Sequence, residues 1–278
     1  MFNPLQSSEL AEWLPQVARL SAAAGEAVLE IYRKPEIQVT TKVDPVGQDG
    51  EERLSPLTAA DLAAHHLILQ GLKDLTPGIP VLSEEAADIP YAERQHWGQF
   101  WLVDPLDGTQ EFLQRNGQFT VNIALVEEGI PILGVVHAPV LHLTYTAARE
   151  LGAYRGDTRI HTCPYTGGSL KVVASRSHAN PKTEQFLKQL QSRYGPLEVS
   201  SLGSSLKFCR VAEGSAHLYP RFGPTMEWDT AAAQCVVEQA GGSVTNLQGD
   251  PLRYNKPDLH NPPFMVAAAA GLWQELLI

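Results

Sequence analysis

The segment Trp101-Leu102-Val103-Asp104-Pro105-Leu106-Asp107-Gly108-Thr109 places two carboxylates directly after an apolar run. The apolar run is typical of the end of a buried strand. Carboxylates this close repel one another, and burying them is costly unless a cation or hydrogen-bond donors compensate. Mg²⁺ is a suitable cation, because it takes oxygen ligands and keeps positions for water and substrate phosphate. Asp-Pro and Asp-Gly are also common turn dipeptides, so the segment alone leaves a simple polar turn open.

Further acidic residues stand at the ends of other elements and favour the metal site. Glu84 and Glu85 follow a short apolar strand, and Asp229 opens a helix. Asp61 is the last residue of a capping box that starts at Thr58. Taken singly, Asp61 and Asp229 could be helix caps and Glu84-Glu85 a solvated surface pair. Together they lie where layered α/β proteins usually bind ligands, at strand carboxyl ends and helix starts.

Gly108 and Thr109 precede Gln110-Glu111-Phe112-Leu113, which has a helical pattern. Amides at the start of that helix would favour a negatively charged phosphate. Gly108 allows close approach of the backbone, and the Thr109 hydroxyl can donate to an oxyanion or orient a water. The metal site and this helix start together predict phosphate-ester hydrolysis.

Composition narrows the class of partner. The net charge is −10, from 31 acidic and 21 basic residues, which opposes non-specific attraction to nucleic acid or anionic lipid. We therefore expect a small-molecule substrate and no nucleic-acid partner. The three cysteines form no Cys-x-x-Cys pair, which fits reduced thiols in a cytosol. Neither a signal-peptide pattern nor an apolar run of about 18 residues occurs, so we predict a cytoplasmic protein without a transmembrane segment.

Hydrophobic periodicity predicts a mixed α/β fold. Helices are expected over Ser8 to Arg33, from Thr58 to before Pro77, Pro181 to Arg193, Ser204 to Glu213 and Thr230 to Ala240. Strands are expected over Ile79 to Leu82, Phe100 to Val103, Phe119 to Glu127, Ile130 to His137, Leu141 to Ala147, Lys171 to Ala174, Ala216 to Tyr219, Ser243 to Thr245 and Phe264 to Ala268. The stretch Thr41 to Ser55 is interpreted as a mobile loop. The loop Thr158 to Ser169 is interpreted as a domain boundary.

Three motifs resemble the signatures of the inositol monophosphatase superfamily of Mg²⁺-dependent, lithium-sensitive phosphatases. They are Ser83-Glu84-Glu85, Asp104-Pro105-Leu106-Asp107-Gly108-Thr109, and Trp228-Asp229-Thr230-Ala231-Ala232 followed by Ala240-Gly241-Gly242. The resemblance covers nearly the whole chain and implies a layered αβαβα sandwich. Residues 1–165 would form an α+β domain with most metal ligands. Residues 166–278 would form an α/β domain with Asp229 and the residues that set substrate specificity.

Within the superfamily the chain is most similar to the bacterial 3′(2′),5′-bisphosphate nucleotidases. The similar segments are Ser55–Asp61, Arg115–Leu125, Ser175–His178, Gly203–Cys209 and Leu218–Thr225. This similarity implies removal of the 3′-phosphate from adenosine 3′,5′-bisphosphate to give AMP, in sulfate assimilation. Conversion of 3′-phosphoadenylyl sulfate to adenylyl sulfate is implied as a second reaction. An inositol or other sugar monophosphatase, and a phosphate-sensing scaffold that kept the fold, stay open as alternatives.

The resemblance also implies roles for individual residues. Glu84, Asp104 and the Leu106 carbonyl would bind one Mg²⁺, and Asp104, Asp107 and Asp229 a second, with two or three ions in all. The catalytic residues would be Asp61, Glu84 and Thr109, with Asp61 and Thr109 positioning the attacking water. Substrate contacts are expected from Glu84, Leu106, Asp107, Gly108, Thr109, Ser204, Ser205, Lys207, Arg221 and Asp229. Lys207 and Arg221 could equally pair with surface carboxylates, and His178 is interpreted as structural or a hydrogen-bond donor.

The chain departs from the family pattern at two positions. Gln110 stands where bacterial relatives usually carry Lys, and Ala233 replaces a common Gly. Both departures put substrate specificity in question and leave the metal ligands intact. Loose association with the cytoplasmic face of the inner membrane is implied for bacterial relatives, although this sequence shows no anchor for it.

Overall fold

The structure, a computed structural model, describes residues 4–43, 54–176 and 180–273. Its helices are α1 (Ser7–Tyr32), α2 (Ala59–Leu75), α3 (Tyr91–Arg94), α4 (Thr109–Leu113), α5 (Pro181–Tyr194), α6 (Leu206–Ala212) and α7 (Ala231–Gln239). Its strands are β1 (Val39–Val43), β2 (Leu54–Thr58), β3 (Val81–Ser83), β4 (Gln99–Asp107), β5 (Thr120–Glu127), β6 (Ile130–Ala138), β7 (Leu143–Ala148), β8 (Gly152–Arg155), β9 (Thr158–Ile160), β10 (Leu170–Ser175), β11 (Leu197–Leu202), β12 (Leu218–Arg221), β13 (Ser243–Asn246) and β14 (Phe264–Ala267).

Two N-terminal helices cover one face of the first sheet. In α1, the fully buried Leu10, Val17 and Val28 recur on one side of the helix, as the sequence predicts. In α2, Thr58 and Asp61 form the predicted capping box. No helix among the described residues is both long enough and apolar enough to cross a membrane.

The first sheet has seven strands in the order β3-β4-β5-β6-β7-β8-β9. Strands β3 and β4 are parallel, and the following pairs are antiparallel. Every residue of β5 is buried, because helices cover this sheet on both faces. The parallel pair brings the carboxyl ends of β3 and β4 to the same sheet edge.

The second sheet has five strands in the order β11-β10-β12-β14-β13. Strand β10 is parallel to both of its neighbours, while the other two pairs are antiparallel. The chain leaves β10 through α5 to reach β11 and then returns through α6 to β12 on the other side of β10. The carboxyl end of β10 is therefore a topological switch point, where open α/β sheets form a crevice.

The layers confirm the predicted αβαβα sandwich. Helices α1 and α2 pack on one face of the seven-stranded sheet. Helices α6 and α7 fill the space between the two sheets. Helix α5 covers the outer face of the five-stranded sheet. The division into residues 1–165 and 166–278 stays a proposal, which places its boundary between β9 and β10.

The prediction of a loop over Thr41 to Ser55 is wrong at both ends. Strands β1 and β2 pair antiparallel from Val39 with Thr58 to Val43 with Leu54. The β-branched residues of β1 favour this pairing, but the polar stretch between the strands concealed it. Residues 44–53 lie outside the described residues.

Two other boundaries also differ from the prediction. The proposed inter-domain loop at Thr158 begins with strand β9, which pairs with β8. Strand β4 does not stop at Val103 but continues through Asp107, with a register shift between Asp104 and Asp107. Such an irregularity re-aims side chains at a strand end, and here it occurs within the acidic motif.

Candidate active site

The parallel pair β3 and β4 brings Glu84 and Asp104 together. Ser83 pairs with Val103, so the residues that follow them, Glu84 and Asp104, lie at the same edge of the sheet. Burial raises the pKa of Glu84 to about 7, with the charge of Glu85 adding to the effect. Burial and the charges of Glu84, Asp107 and Asp229 raise the pKa of Asp104 well above its usual range. Two acids whose charges act on each other in this way are candidates to bind a shared cation.

Asp107 connects the end of β4 to the second sheet. Its Oδ2 accepts hydrogen bonds from the backbone N of Ser205 at 2.6 Å and from the Ser205 hydroxyl at 2.7 Å. The side chains of Thr120 and Asn122 approach the same oxygen at 3.2 Å. The Ser205 hydroxyl also lies 2.8 Å from the backbone carbonyl of Asp229. Ser205, predicted to contact substrate, thus also links Asp107 to the Asp229 backbone.

Asp229 reaches the site from a third segment. It closes a 3₁₀ helix, Glu227–Asp229, immediately before α7. Its Oδ2 accepts a hydrogen bond from the Met226 backbone N at 2.9 Å. Burial, followed by the charges of Asp107 and Glu84, raises the pKa of Asp229 well above its usual range. Acidic side chains from distant parts of the chain therefore act on one another electrostatically.

A cavity of about 250 Å³ collects most of the predicted site residues. Those that line it are Glu84, Asp104, Leu106, Asp107, Gly108, Thr109, Ser204, Ser205, Lys207, Arg221 and Asp229. Asp61 does not line it. Its Oδ2 accepts two hydrogen bonds from Thr58, at 2.7 Å from the backbone N and 2.6 Å from the hydroxyl. Burial outweighs those hydrogen bonds and raises the pKa of Asp61 to about 6.

The donor set fits Mg²⁺ in chemistry, although its oxygens are not arranged around a common point. Within residues 4–43, 54–176 and 180–273, no three acidic, imidazole or thiol side chains form a ready-made metal cluster. The oxygens of Asp107 and Asp229 are instead turned toward Ser205 and Met226. All the side-chain donors are nevertheless carboxylates whose charges repel in a buried place, which a hard cation relieves.

Lys42 is a charged neighbour that the sequence interpretation missed. Its Nζ lies 2.7 Å from Glu84 Oε1 and 2.6 Å from Glu85 Oε1. Burial opposes its charge, yet the two glutamates together raise the pKa of Lys42 above its usual range. An ammonium group thus neutralises part of the acidic cluster. The β-branched residues in Val39-Thr40-Thr41-Lys42-Val43 were the available sequence signal for a strand. Lys42 lies beside Glu84 and Glu85 because this strand forms.

Two glycines permit close contact between the loops that border the cavity. Gly108 adopts a left-handed backbone with φ 94°, immediately before α4. A Cβ on Gly203 would lie 2.4 Å from Glu111 Cγ and 2.7 Å from the Gln118 carbonyl. Neither position accepts a side chain without a backbone shift. Gly203 belongs to the segment Gly203–Cys209, which resembles the bacterial nucleotidases in sequence. The buried Glu111 was not predicted to have a role.

Two buried cations, Lys207 and Arg221, also line the cavity. Lys207 and Arg221 are 6% and 8% exposed, and among the described residues neither forms an ion pair with a surface carboxylate. Lys207 Nζ donates to the Ser204 carbonyl at 2.6 Å, and burial lowers the pKa of Lys207 to about 8. Arg221 donates one Nη to the Pro224 carbonyl at 2.8 Å, while its buried Nε has no hydrogen-bond partner among the residues that the structure describes. A buried cationic donor without a protein partner, beside a cavity, is suited to bind an anionic ligand.

The two departures from the family pattern occupy different environments. Gln110 is exposed and lines the cavity, so it can contact a substrate. Ala233 is buried within α7 and does not line the cavity. The prediction for His178 lies outside the described residues.

Comparison with known proteins agrees with this fold. The chain belongs to the inositol monophosphatase family, because the sequence model of that family matches residues 9–278. It is 49% identical over 260 residues to an Escherichia coli 3′(2′),5′-bisphosphate nucleotidase CysQ, covering 91% of this chain and 99% of that protein. A crystal structure of CysQ from Bacteroides thetaiotaomicron matches with TM-score 0.79 and 40% identity, over 95% of this chain and 97% of that one. An inositol monophosphatase from Anabaena, at 23% identity and TM-score 0.74 over 96% of this chain and 94% of that one, shows the shared fold.

Proposed function

We propose that this protein is a Mg²⁺-dependent phosphatase that removes the 3′-phosphate from adenosine 3′,5′-bisphosphate, producing AMP and phosphate. The observation that carries the proposal is a single cavity lined both by the carboxylates of Glu84, Asp104, Asp107 and Asp229 and by the buried cations Lys207 and Arg221. A substrate with two phosphate groups matches a cavity that offers both a set of metal-binding carboxylates and buried cations. Similarity to the CysQ nucleotidases supports the same reaction.

The acidic end would hold the metal. We assign one Mg²⁺ to Glu84, Asp104 and the Leu106 carbonyl, and a second to Asp104, Asp107 and Asp229. The proposal allows two or three ions in total. Bound there, Mg²⁺ would activate a water and neutralise charge on the phosphoryl oxygens.

The protein's own groups would position the reactants. Thr109 lines the cavity, and we assign Thr109 and Asp61 to position the attacking water. Amides near Gly108 would donate to the phosphoryl oxygens of the reacting group. The Lys207 ammonium and the unpartnered Arg221 Nε would bind the 5′-phosphate through charge-assisted hydrogen bonds.

A second substrate follows from the same chemistry. In 3′-phosphoadenylyl sulfate the reacting 3′-phosphate is unchanged and a sulfate is attached to the 5′-phosphate. We therefore propose that the protein also converts it to adenylyl sulfate, acting in the cytoplasm in sulfate assimilation.

The test compares substrates in parallel. Phosphate release is measured from adenosine 3′,5′-bisphosphate, inositol 1-phosphate and fructose 1,6-bisphosphate, each with Mg²⁺ and with EDTA. We expect release that requires Mg²⁺, with kcat/KM for the nucleotide at least about tenfold higher than for either sugar phosphate. Faster hydrolysis of inositol 1-phosphate would favour the sugar monophosphatase alternative. Absence of release from all three would favour the phosphate-sensing scaffold.

A further inference from the structure

Glu227 is a buried carboxylate that the proposed reaction does not use. It begins the 3₁₀ helix that ends at Asp229, and its side chain is 0% exposed. It does not line the cavity that holds the other acidic residues. Burying a carboxylate is costly unless hydrogen-bond donors or a cation surround it. The chain nevertheless buries one only two positions before a proposed magnesium ligand.

Three donors surround the Glu227 carboxylate, and all belong to the segment 253–261 between β13 and β14. The Oε2 atom accepts a hydrogen bond from the Asn255 backbone N at 2.6 Å, and Oε1 accepts one from the Lys256 backbone N at 3.0 Å. The Lys256 ammonium also contacts Oε1. Asn255 has a φ of 67°, and successive amides beside a left-handed residue form a concave site for an anionic group. Both carboxylate oxygens are therefore held by donors.

The same segment also binds the backbone at the start of the 3₁₀ helix. Glu227 N donates to the Leu259 carbonyl at 2.9 Å, and Asn261 N donates to the Thr225 carbonyl at 2.9 Å. The Asn261 side chain donates to the Met226 carbonyl at 2.6 Å. Three consecutive residues are thus bonded to one segment, which fixes where the 3₁₀ helix begins.

Arg94 connects the segment 253–261 to the first sheet. It ends α3, which lies between β3 and β4 in the chain. Its guanidinium donates to the Asn255 side chain at 3.0 Å and to the Pro257 carbonyl at 2.9 Å. The Asn255 amide donates in return to the Arg94 carbonyl at 2.6 Å. The part of the chain that carries the first acidic motifs is therefore linked, through this segment, to the 3₁₀ helix that carries the last one.

We propose that Glu227 is a positioning residue for Asp229. Its carboxylate, gripped by the segment 253–261, fixes the 3₁₀ helix so that Asp229 is held among the other acidic ligands before a cation binds. This inference rests on the proposed function, because it concerns a ligand of the same magnesium ions. Glu227 contacts neither metal nor substrate in this arrangement and takes no part in bond cleavage.

Calorimetric titration of the substrate-free protein with Mn²⁺, which shares the preference for oxygen ligands, tests the proposal without measuring turnover. Glu227→Gln should raise the Mn²⁺ concentration at half-saturation at least about tenfold, because an amide brings an NH₂ group into a site that contains only donors. Kinetics should show the same division. The KM for Mg²⁺ should rise, while kcat at saturating Mg²⁺ should stay within about threefold of the wild-type value.

Glu127→Gln is the matched control. Glu127 is 5% exposed and also accepts hydrogen bonds from a backbone amide, that of Leu5, and from a cationic side chain, that of Arg149. It ends β5, whereas Thr120, which approaches Asp107, begins that strand. This variant should lower the melting temperature but leave Mn²⁺ half-saturation within about twofold of the wild-type value, because the two sites are far apart.

Lys256→Met keeps the proposal testable if Glu227→Gln does not fold. It removes the ammonium but keeps an aliphatic side chain and both backbone amides, so the fold should persist. Mn²⁺ half-saturation should rise at least about threefold, since one charged donor is lost.

Unchanged Mn²⁺ binding in folded Glu227→Gln, or in Lys256→Met, would overturn the inference while leaving the metal site in place. An equal loss of Mn²⁺ binding in Glu127→Gln would also overturn it, because the effect would then follow stability alone. A wild-type protein that binds no Mn²⁺ would overturn the proposed function, and this inference with it.

Discussion

At the scale of single residues, the site concentrates buried carboxyl groups whose charges oppose one another. Burial and neighbouring charges raise the pKa values of Asp104 and Asp229 well above the usual range. Such an arrangement destabilises the fold unless protons or a cation neutralise it. Perturbed acids in a cavity are a sign of a functional site, and here they coincide with the predicted motifs.

Replacing Asp229 with Asn tests this electrostatic interpretation. The amide oxygen can still accept the hydrogen bond from Met226 N, so the fold should persist. In EDTA the melting temperature should stay equal or rise, because one repelling charge has gone. The value of kcat should fall at least about a hundredfold, since metal binding supplies several kcal/mol of charge stabilisation. The exposed Asp157→Asn is the control, and wild-type turnover in Asp229→Asn would discard the assignment of Asp229 as a ligand.

Glu238 gives a pH prediction away from the active site. Burial raises the pKa of Glu238 from 4.5 to about 7, despite a hydrogen bond from Gln234. The folded protein therefore binds this proton more tightly than the unfolded chain. The resulting stability is complete below pH 4.5 and is lost as the pH rises through about 7.

The Glu238→Gln variant should remove that dependence. Its melting temperature should be higher than that of the wild type at pH 8, and the difference should shrink toward pH 5. Each kcal/mol of unfolding free energy corresponds to roughly 2–4 °C in melting temperature. Thermal unfolding at both pH values measures the effect. The exposed Glu30→Gln provides the comparison and should show no such trend; an equal difference for Glu238→Gln at both pH values would refute the assignment.

At the scale of elements, a local sequence signal was sufficient to predict the structure where no contact between distant segments was needed. The turn Glu128-Gly129 was predicted as a hairpin, and both residues have positive φ values, 51° and 73°. That backbone is what a two-residue hairpin requires. The pairing of β1 with β2 was not predicted, because it joins segments separated by a polar stretch and Pro56 lies inside β2. Proline is unusual within a strand, so the sequence around Pro56 gives only a weak strand signal.

Gly134 tests how the packing of α7 supports the site. This residue lies in β6, and a Cβ on it would stand 2.2 Å from the Ala232 carbonyl and 2.9 Å from Cys235 Cβ. Gly134→Ala should push α7 away, destabilise the fold by about 1–3 kcal/mol and displace Asp229 at the start of that helix. Melting temperature and kcat should both fall. Gly78→Ala, with nothing within 4 Å of the added Cβ, should leave both unchanged, and equal melting temperatures for the two variants would contradict this view of the packing.

At the scale of the whole molecule, the site depends on contacts between residues that are distant in the sequence. The acidic motifs could be located from the sequence because each follows a recognisable strand or precedes a helix. Their partners could not, since Ser205 meets Asp107 only when α6 packs between the sheets. Lys42 likewise reaches Glu84 only because the β1–β2 hairpin lies beside the end of β3. No local pattern reports such long-range contacts.

The central claim is that Glu84, Asp104, Asp107 and Asp229 together hold the magnesium ions of the proposed reaction. The most direct measurement is anomalous X-ray diffraction from crystals soaked in Mn²⁺, an ion with the same preference for oxygen ligands. We expect at least one anomalous peak within coordination distance of Asp104 and Asp229, with the carboxylates of Asp107 and Asp229 turned toward it. Well-ordered crystals with no peak among these carboxylates at saturating Mn²⁺ would contradict the account.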